Sequence, residues 1–500
     1  MRGEWVVRGV PESIRNDGWW LSEPVVGKAR ARNWRDAARQ PLGAVILLVA
    51  MADWLFWNDY NGISVAVFAL ALSVAIIAFK PGGATRREWA WAMAFAVACN
   101  LPMIEHAQTL SALFTLLGLI ILLLWSAENR VLSAAEAARI WFRASTVGAV
   151  ELPRHAAEQL NNRRSGWDIG ALLRQIALPG SIGLVFLVLI GIANPLVENG
   201  LNQITRIDLI GPDLLVRVAF WIVAAALIWP YLNTRGPWRG KAPTEPQTSL
   251  SLGPLAQIVN PQSVRASLIL FNLLFLVQTL SDIGVLSGGL TLPEGMTYAE
   301  YAHRGAYPLM LAAILAGGFV IGTRQMVTDN RVMRGLIYLW LGQTLFLVIT
   351  AGIRLGLYVD AYTLTYLRVA AFIWMALIYV GLVLTLAFIA QKRAIAWLIR
   401  WNAVTLLGTL YLCCFVNFAY LITDYNMAKA EDIEALDLSY LCQLGEQAIP
   451  AMMEYGQITD NVTCGRNGLP SLRFDAIEDW REWGFRRWRL QRYLESYHDL

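Results

Sequence analysis

Arg354 and Arg368 each stand in an otherwise apolar run, "RLGLYVDAYTLTYLRVAAFIWM", with the carboxylate Asp360 between them. A guanidinium is a planar fork of donors that grips a carboxylate or phosphate with two parallel bonds. A second polar stretch, "MTYAEYAHRGAYPLM", carries Glu300, His303 and Arg304 ahead of an uncharged run, and Asp282 precedes it. Asp53 interrupts "LGAVILLVAMADWLFW". Arginines among several carboxylates could bind an anionic headgroup, a phosphate or a carboxylate. The same residues could instead be an ion-pair network locking helices together, or interfacial groups solvated by water and headgroups. Thr297 and Glu300 have capping-box spacing, which gives Glu300 a structural role as well.

Other chemistries lack their residues. The four histidines, 106, 155, 303 and 498, have no metal-ligand spacing, and HExxH, GxxxxGK[ST] and GxSxG do not occur. No metal and no cofactor is expected. A carboxylate such as Asp53 or Glu300 acting as base, with Arg354 or Arg368 holding a lipid-linked phosphate, would make an envelope transferase.

The elements that must position these residues are membrane helices. The chain has 500 residues, 56% hydrophobic and 16% charged, with a mean hydropathy of +0.46. Uncharged runs long enough to cross a bilayer recur throughout. They predict an all-α, polytopic bundle of about eleven spans: 41–57, 62–79, 88–104, 109–126, 178–197, 214–232, 264–283, 305–323, 334–353, 364–389 and 395–421. The polar, Arg-rich first 40 residues do not resemble a cleavable signal, so the first span reads as an uncleaved anchor.

Lysine and arginine placement orients the bundle. The N-terminal arm and alternate connections hold 28 of the 41 basic residues, the opposite connections and adjoining helix ends hold 5, and the tail holds 8. This asymmetry predicts a cytoplasmic N-terminus and, with an odd span count, an extracytoplasmic C-terminal domain. Most charged residues near span ends then fall on the outer side: Asp53, Glu105, His106, Asp282, Glu300, His303, Arg304, Arg354, Asp360, Arg368 and Asp424. The positive charge is explained by loop placement, and no nucleic-acid partner is expected.

The chain divides into a basic arm (1–40), a first bundle (41–232), a Pro- and Gly-rich linker (233–263), a second bundle (264–424) and a C-terminal domain (425–500). Within 127–177, Ser133 and Glu136 open a surface helix. In the C-terminal domain, "EDIEALDLSYLCQLG" reads as an acidic helix and Asp475 with Glu478 as the start of a final one, set to pack on the bundle. Cys442 and Cys464 lie there too; a disulfide between them would suit an oxidising compartment, though spacing alone does not establish the pairing. Gly352 and Gly356 have the spacing of a close helix contact.

The segments "LTLPEGMTYAEYAHRGAYPLM", "RLGLYVDAYTLTYLRVAAFIWM" and "VNFAYLITDYNMAKAEDIEALDLSYLCQLGEQAIPAM" resemble a family of bacterial polytopic membrane proteins known as a domain of unknown function. The resemblance covers about 264–490. It implies a bacterial plasma-membrane protein and supplies neither an activity nor catalytic residues. Three function classes follow: a transporter or lipid-handling protein binding an anionic solute or lipid headgroup; a sensor or regulatory subunit acting through a membrane-protein partner; and the transferase above. Membrane lipids are expected contacts for all three.

Overall fold

The computed structural model describes residues 41–57, 62–127, 136–142, 212–232, 260–287, 314–323, 330–429, 437–455 and 474–498, with Thr146, Cys464 and Leu472. The basic arm, the predicted span 178–197, the first part of 305–323, the linker to residue 259, Ser133, and Glu300, His303 and Arg304 lie outside the described residues. All regular structure among the described residues is helical. Among the described residues, five helices are long and apolar enough to cross a membrane, and four apolar helices are shorter.

The chain forms two compact units. The first draws on Met1–Trp57, Leu70–Ala94 and Leu119–Arg239, the second on Asn58–Ala69, Phe95–Gly118 and Gly240–Leu500. Its described helices begin with α1 (Pro41–Phe56), α2 (Ile63–Ala78), α3 (Arg86–Glu105), α4 (Thr109–Ala127) and α5 (Pro212–Leu232); α2, α3 and α4 are divided between the units along the chain.

In the first unit α1 packs on α5. Asp53 accepts from Arg217 Nε at 2.8 Å and from Trp221 Nε1 at 2.8 Å, and the guanidinium lies over Trp57. A single carboxylate in an apolar helix thus finds its cation on the neighbouring helix, as a charge in lipid requires. The α2–α3 turn uses Gly82 and Gly83, at φ +85° and +78°, where a side chain would be strained. A reciprocal capping box then starts α3: the Thr85 amide donates to Glu88 at 2.7 Å and the Glu88 amide donates to the Thr85 hydroxyl at 3.3 Å. Lys80, 5% exposed, is held between Glu88 at 3.1 Å and the Trp125 ring at 3.9 Å.

The second unit is built on α6 (Pro261–Leu286), α7 (Ile314–Thr323), α8 (Arg331–Tyr362), α9 (Tyr366–Ala390) and α10 (Ile395–Cys413). Asn260 and Asn330 cap α6 and α8, each side chain accepting two amides of the first turn. Val264, Leu268, Ala316, Val320, Ile337, Leu341 and Phe388 form the central core. Trp340 sits among Phe271, Phe275 and Phe319, with centroids 5.0–5.8 Å away. These helices also expose large apolar side chains, such as Val277 at 69% and Leu367 at 83%; lipid, unlike water, imposes no cost for that.

Three boundaries differ from the sequence expectation. Helix α8 continues two turns beyond residue 353, so Arg354 and Asp360 lie on one 32-residue helix. The predicted span 395–421 is broken: α10 ends at Cys413, and α11 (Phe418–Lys429) starts anew, with the Asn417 side chain accepting the Tyr420 amide at 3.1 Å. Side-chain competition by asparagine for backbone amides restarts a helix where hydropathy reads straight through. The final helix starts at Phe485, because Asp479 turns its carboxylate onto the Arg481 amide at 2.8 Å and forms a 3-10 turn at Trp480–Glu482 instead.

The remaining helices are α12 (Leu438–Gln443), α13 (Ile449–Glu454) and α14 (Phe485–His498). Of "EDIEALDLSYLCQLG", residues to 436 lie outside the described set, and the helix that is described starts at Leu438 behind its Asp437 cap. Cys442 and Cys464 are disulfide-bonded, with Cα atoms 5.8 Å apart, in a core with Leu441, Ala448 and Met452.

The C-terminal residues gather at one end of the second unit. The Ile63 amide donates to Trp483 O at 2.7 Å, at the start of α2. Arg486, 5% exposed, reaches Glu105 at the end of α3 at 3.2 Å and Cys414 O after α10 at 2.9 Å. Gly62 makes this approach possible: a Cβ there would lie 2.3 Å from the Glu482 carbonyl carbon and 2.6 Å from Arg481 O. Gly62→Ala should therefore displace the 480–498 segment, at a cost of about 1–3 kcal/mol typical of overpacking. Cross-linking of Arg486-region cysteines to residue 105 would detect the shift; unchanged cross-linking would show that the backbone accommodates the methyl group. Gly352 and Gly356, in contrast, would present a Cβ to nothing described within 4 Å, so they mark no close helix contact here.

Candidate functional site

The predicted polar residues separate into distinct constellations. Asp53 belongs to the first unit with Arg217. In the second unit, Asp282 of α6 and Arg354 of α8 form an ion pair of 3.3 Å, with side chains 0% and 6% exposed. Asp282 also accepts from Gln278 and from Thr350 Oγ1, both at 2.8 Å. This arrangement ties α6 to α8, and the Arg354 charge is directed at a protein carboxylate.

Arg368 has a different task. Its Nη1 donates to Tyr362 O and Thr363 O, the last carbonyls of α8, and its guanidinium stacks 4.3 Å from the Tyr358 ring centroid. A cation at a helix C-terminus meets the negative end of the dipole and satisfies orphaned carbonyls. Thr363 needs that support. It has φ +68° and ψ 172°, a conformation that L-residues avoid and that surroundings must enforce. Asn426 of α11 completes the clamp, accepting the Leu364 amide at 2.6 Å and donating to Leu364 O at 2.9 Å. Thr365 makes no side-chain cap for α9; the Tyr440 hydroxyl accepts the Tyr366 amide instead, at 2.9 Å.

Beside this clamp lies a groove of about 390 Å³ between α8, α9 and α11. Its walls are Gly356, Val359, Leu364, Val369, Phe372, Ile373, Phe418 and Leu421, and its polar residues are Asp360 and Tyr425. Asp360 accepts from the Tyr425 hydroxyl at 3.0 Å and from the Lys429 ammonium, and both charged side chains remain about half exposed. The Asp360 carboxylate raises the Lys429 pKa, so the ammonium stays charged across neutral pH. An ammonium has three donors, and the carboxylate uses only part of them. An apolar slot bordered by an accessible cation can take an amphiphile whose head is a phosphate or carboxylate. Lys429, Tyr425 and Asn426 escape a sequence reading because hydropathy assigns them to a tail rather than to a helix folded back on α8.

A neighbouring acidic edge joins α11 and α13. Tyr420 donates to Glu454 at 3.0 Å and Tyr455 to Asp424 at 3.3 Å. Burial, with Glu454 and Asp424 nearby, pushes the Tyr420 phenol up to about 12. At the end of α3, burial first and then Arg486 hold His106 below its ordinary pKa. Glu300, His303 and Arg304 lie outside the described residues, and no group of three or more metal-ligating side chains occurs among the described ones.

A membrane-spanning helical bundle is thus the class that the fold defines. The profile of the family described as Domain of unknown function (DUF4153) matches residues 92–455, nearly three-quarters of the chain, and the protein belongs to that family. No curated protein and no solved structure matches significantly.

Proposed function

We propose that this protein is a lipid-handling carrier that binds an anionic amphiphile, a phosphate- or carboxylate-headed lipid or solute, at the end of α8. The observation that carries the reading is the 390 Å³ apolar groove with the half-exposed Lys429–Asp360 pair beside it. The tail would occupy the slot between Val359, Ile373 and Leu421, and the head would meet Lys429. Its setting in this reading is a bacterial inner membrane, with the N-terminus cytoplasmic and the C-terminal domain extracytoplasmic. The lysine and arginine asymmetry and the Cys442–Cys464 bridge support that orientation. Arg354 and Arg368 then serve as supports of the site rather than as its anion ligands.

Full-length protein in native-membrane nanodiscs tests this by mass spectrometry of co-purified lipid. Lys429→Ala should lose an anionic lipid enriched on the wild type, and Leu421→Trp, which fills the slot, should lose it as well. Equal lipid profiles from three equally folded proteins would overturn the reading. One observation favours a second role, that of a regulatory subunit: the disulfide-linked C-terminal segment is held at the helix ends by Arg486 and Gly62. Cross-linking to a membrane-protein partner that depends on Arg486 would support it.

A further inference from the structure

The seam between α6 and α8 is polar over a length that its apolar neighbours do not explain. The two helices run in the same direction, since Asn272 meets Leu336 and Asp282 meets Thr350 further on. Asn272 is 7% exposed; its amide nitrogen donates to Leu268 O at 2.7 Å and Leu336 O at 3.0 Å, while its Oδ1 has no partner among the described residues. Thr279 Oγ1 on α6, and Trp340 Nε1 and Gln343 Oε1 on α8, are likewise buried without a hydrogen-bond partner among the described residues. Next come the Gln278–Asp282–Thr350 bonds and Arg354. Asp282 is one turn from the end of α6, and Asn272 is ten residues deeper, about 15 Å at 1.5 Å per residue, or half the thickness of a hydrocarbon core.

Lipid cannot satisfy a buried donor or acceptor, and native proteins fill such positions with ordered water or a polar ligand. We propose that the α6–α8 seam is a water-binding crevice, entered at the Asp282–Arg354 pair and ending at Asn272 near mid-membrane. The ligand class is water, with any small hydrogen-bonding solute that water admits. The site is separate from the Lys429 groove and does not depend on the reading of it.

Hydroxyl-radical footprinting of the full-length protein in nanodiscs tests the proposal, because bound water delivers the radical to adjacent side chains whatever their exposure. Trp340, 4% exposed, should be oxidised severalfold faster, relative to intrinsic ring reactivity, than Phe388, 0% exposed and without a polar atom to hold water. Asn272→Leu and Gln343→Leu should each lower the normalised Trp340 rate towards that of Phe388. Equal normalised rates for the two rings in the wild type would overturn the proposal without any variant. A fast Trp340 rate that both folded variants leave unchanged would overturn it too, by placing the water elsewhere.

Discussion

Asp282→Leu is expected to destabilise the second unit by about 3–5 kcal/mol, the range for removing one partner of a buried ion pair. The side chain it removes is fully buried and faces an arginine that is 6% exposed. Leucine would leave the Arg354 charge in a low-dielectric interior, and the Thr350 hydroxyl would lose its carboxylate acceptor. Asp282→Asn should cost less, because an amide oxygen still accepts that hydroxyl. Asp282→Leu/Arg354→Leu should recover much of the loss, since an apolar pair of similar volume avoids the uncompensated charge. Thermal melts followed by size exclusion, with all four proteins in the same lipid nanodiscs, give the comparison. A single variant that melts with the wild type would mean that the pair contributes little to the fold. A double variant no better than the single would assign the loss to packing instead of charge.

The second large effect concerns the C-terminal segment. Cys442→Ser/Cys464→Ser removes a cross-link between residues 22 apart, which by loop-closure entropy contributes about 3 kcal/mol. Both cysteines are also core residues, 2% and 3% exposed, so two hydroxyls would be buried in their place. The segment from α12 to α13 should become protease-sensitive, and dithiothreitol should reproduce that sensitivity in the wild type but add nothing to the variant. The helices α6 to α10 have their own core and should resist cleavage throughout. Retained protease resistance in the variant would show that docking on α11 suffices to hold the segment.

Several features of the fold are legible in the sequence. The caps Asn260, Asn330 and Thr85 are not among them: short polar residues recur throughout the connections, and only the structure shows which of them bond the first amides of a helix. The apolar runs around residues 41, 63, 109, 212 and 261 reappear as helices within three residues of their expected starts, because burial in lipid asks only for length and hydropathy. The length of α8 exceeds the hydropathy expectation. A window ends a span at the first charge, whereas Arg354 keeps its charge within the helix by facing Asp282. The break at Asn417 is invisible to hydropathy for the opposite reason, since one asparagine hardly changes an average.

Sequence by itself determined that this chain is a bundle of apolar helices, that its basic residues are segregated along the chain, and that its ionisable groups near span ends are few. Those properties are sums over composition and local spacing. Tertiary structure decided what each ionisable group does. Arg354 neutralises Asp282, Arg368 caps α8 beside the strained Thr363, Asp53 holds Arg217, and Lys429 returns on α11 to meet Asp360 beside a groove. Partners that are 69, 72 or 164 residues apart are chosen by which helices lie side by side. That choice follows from how side chains fill space between helices, and no local pattern in the chain encodes it.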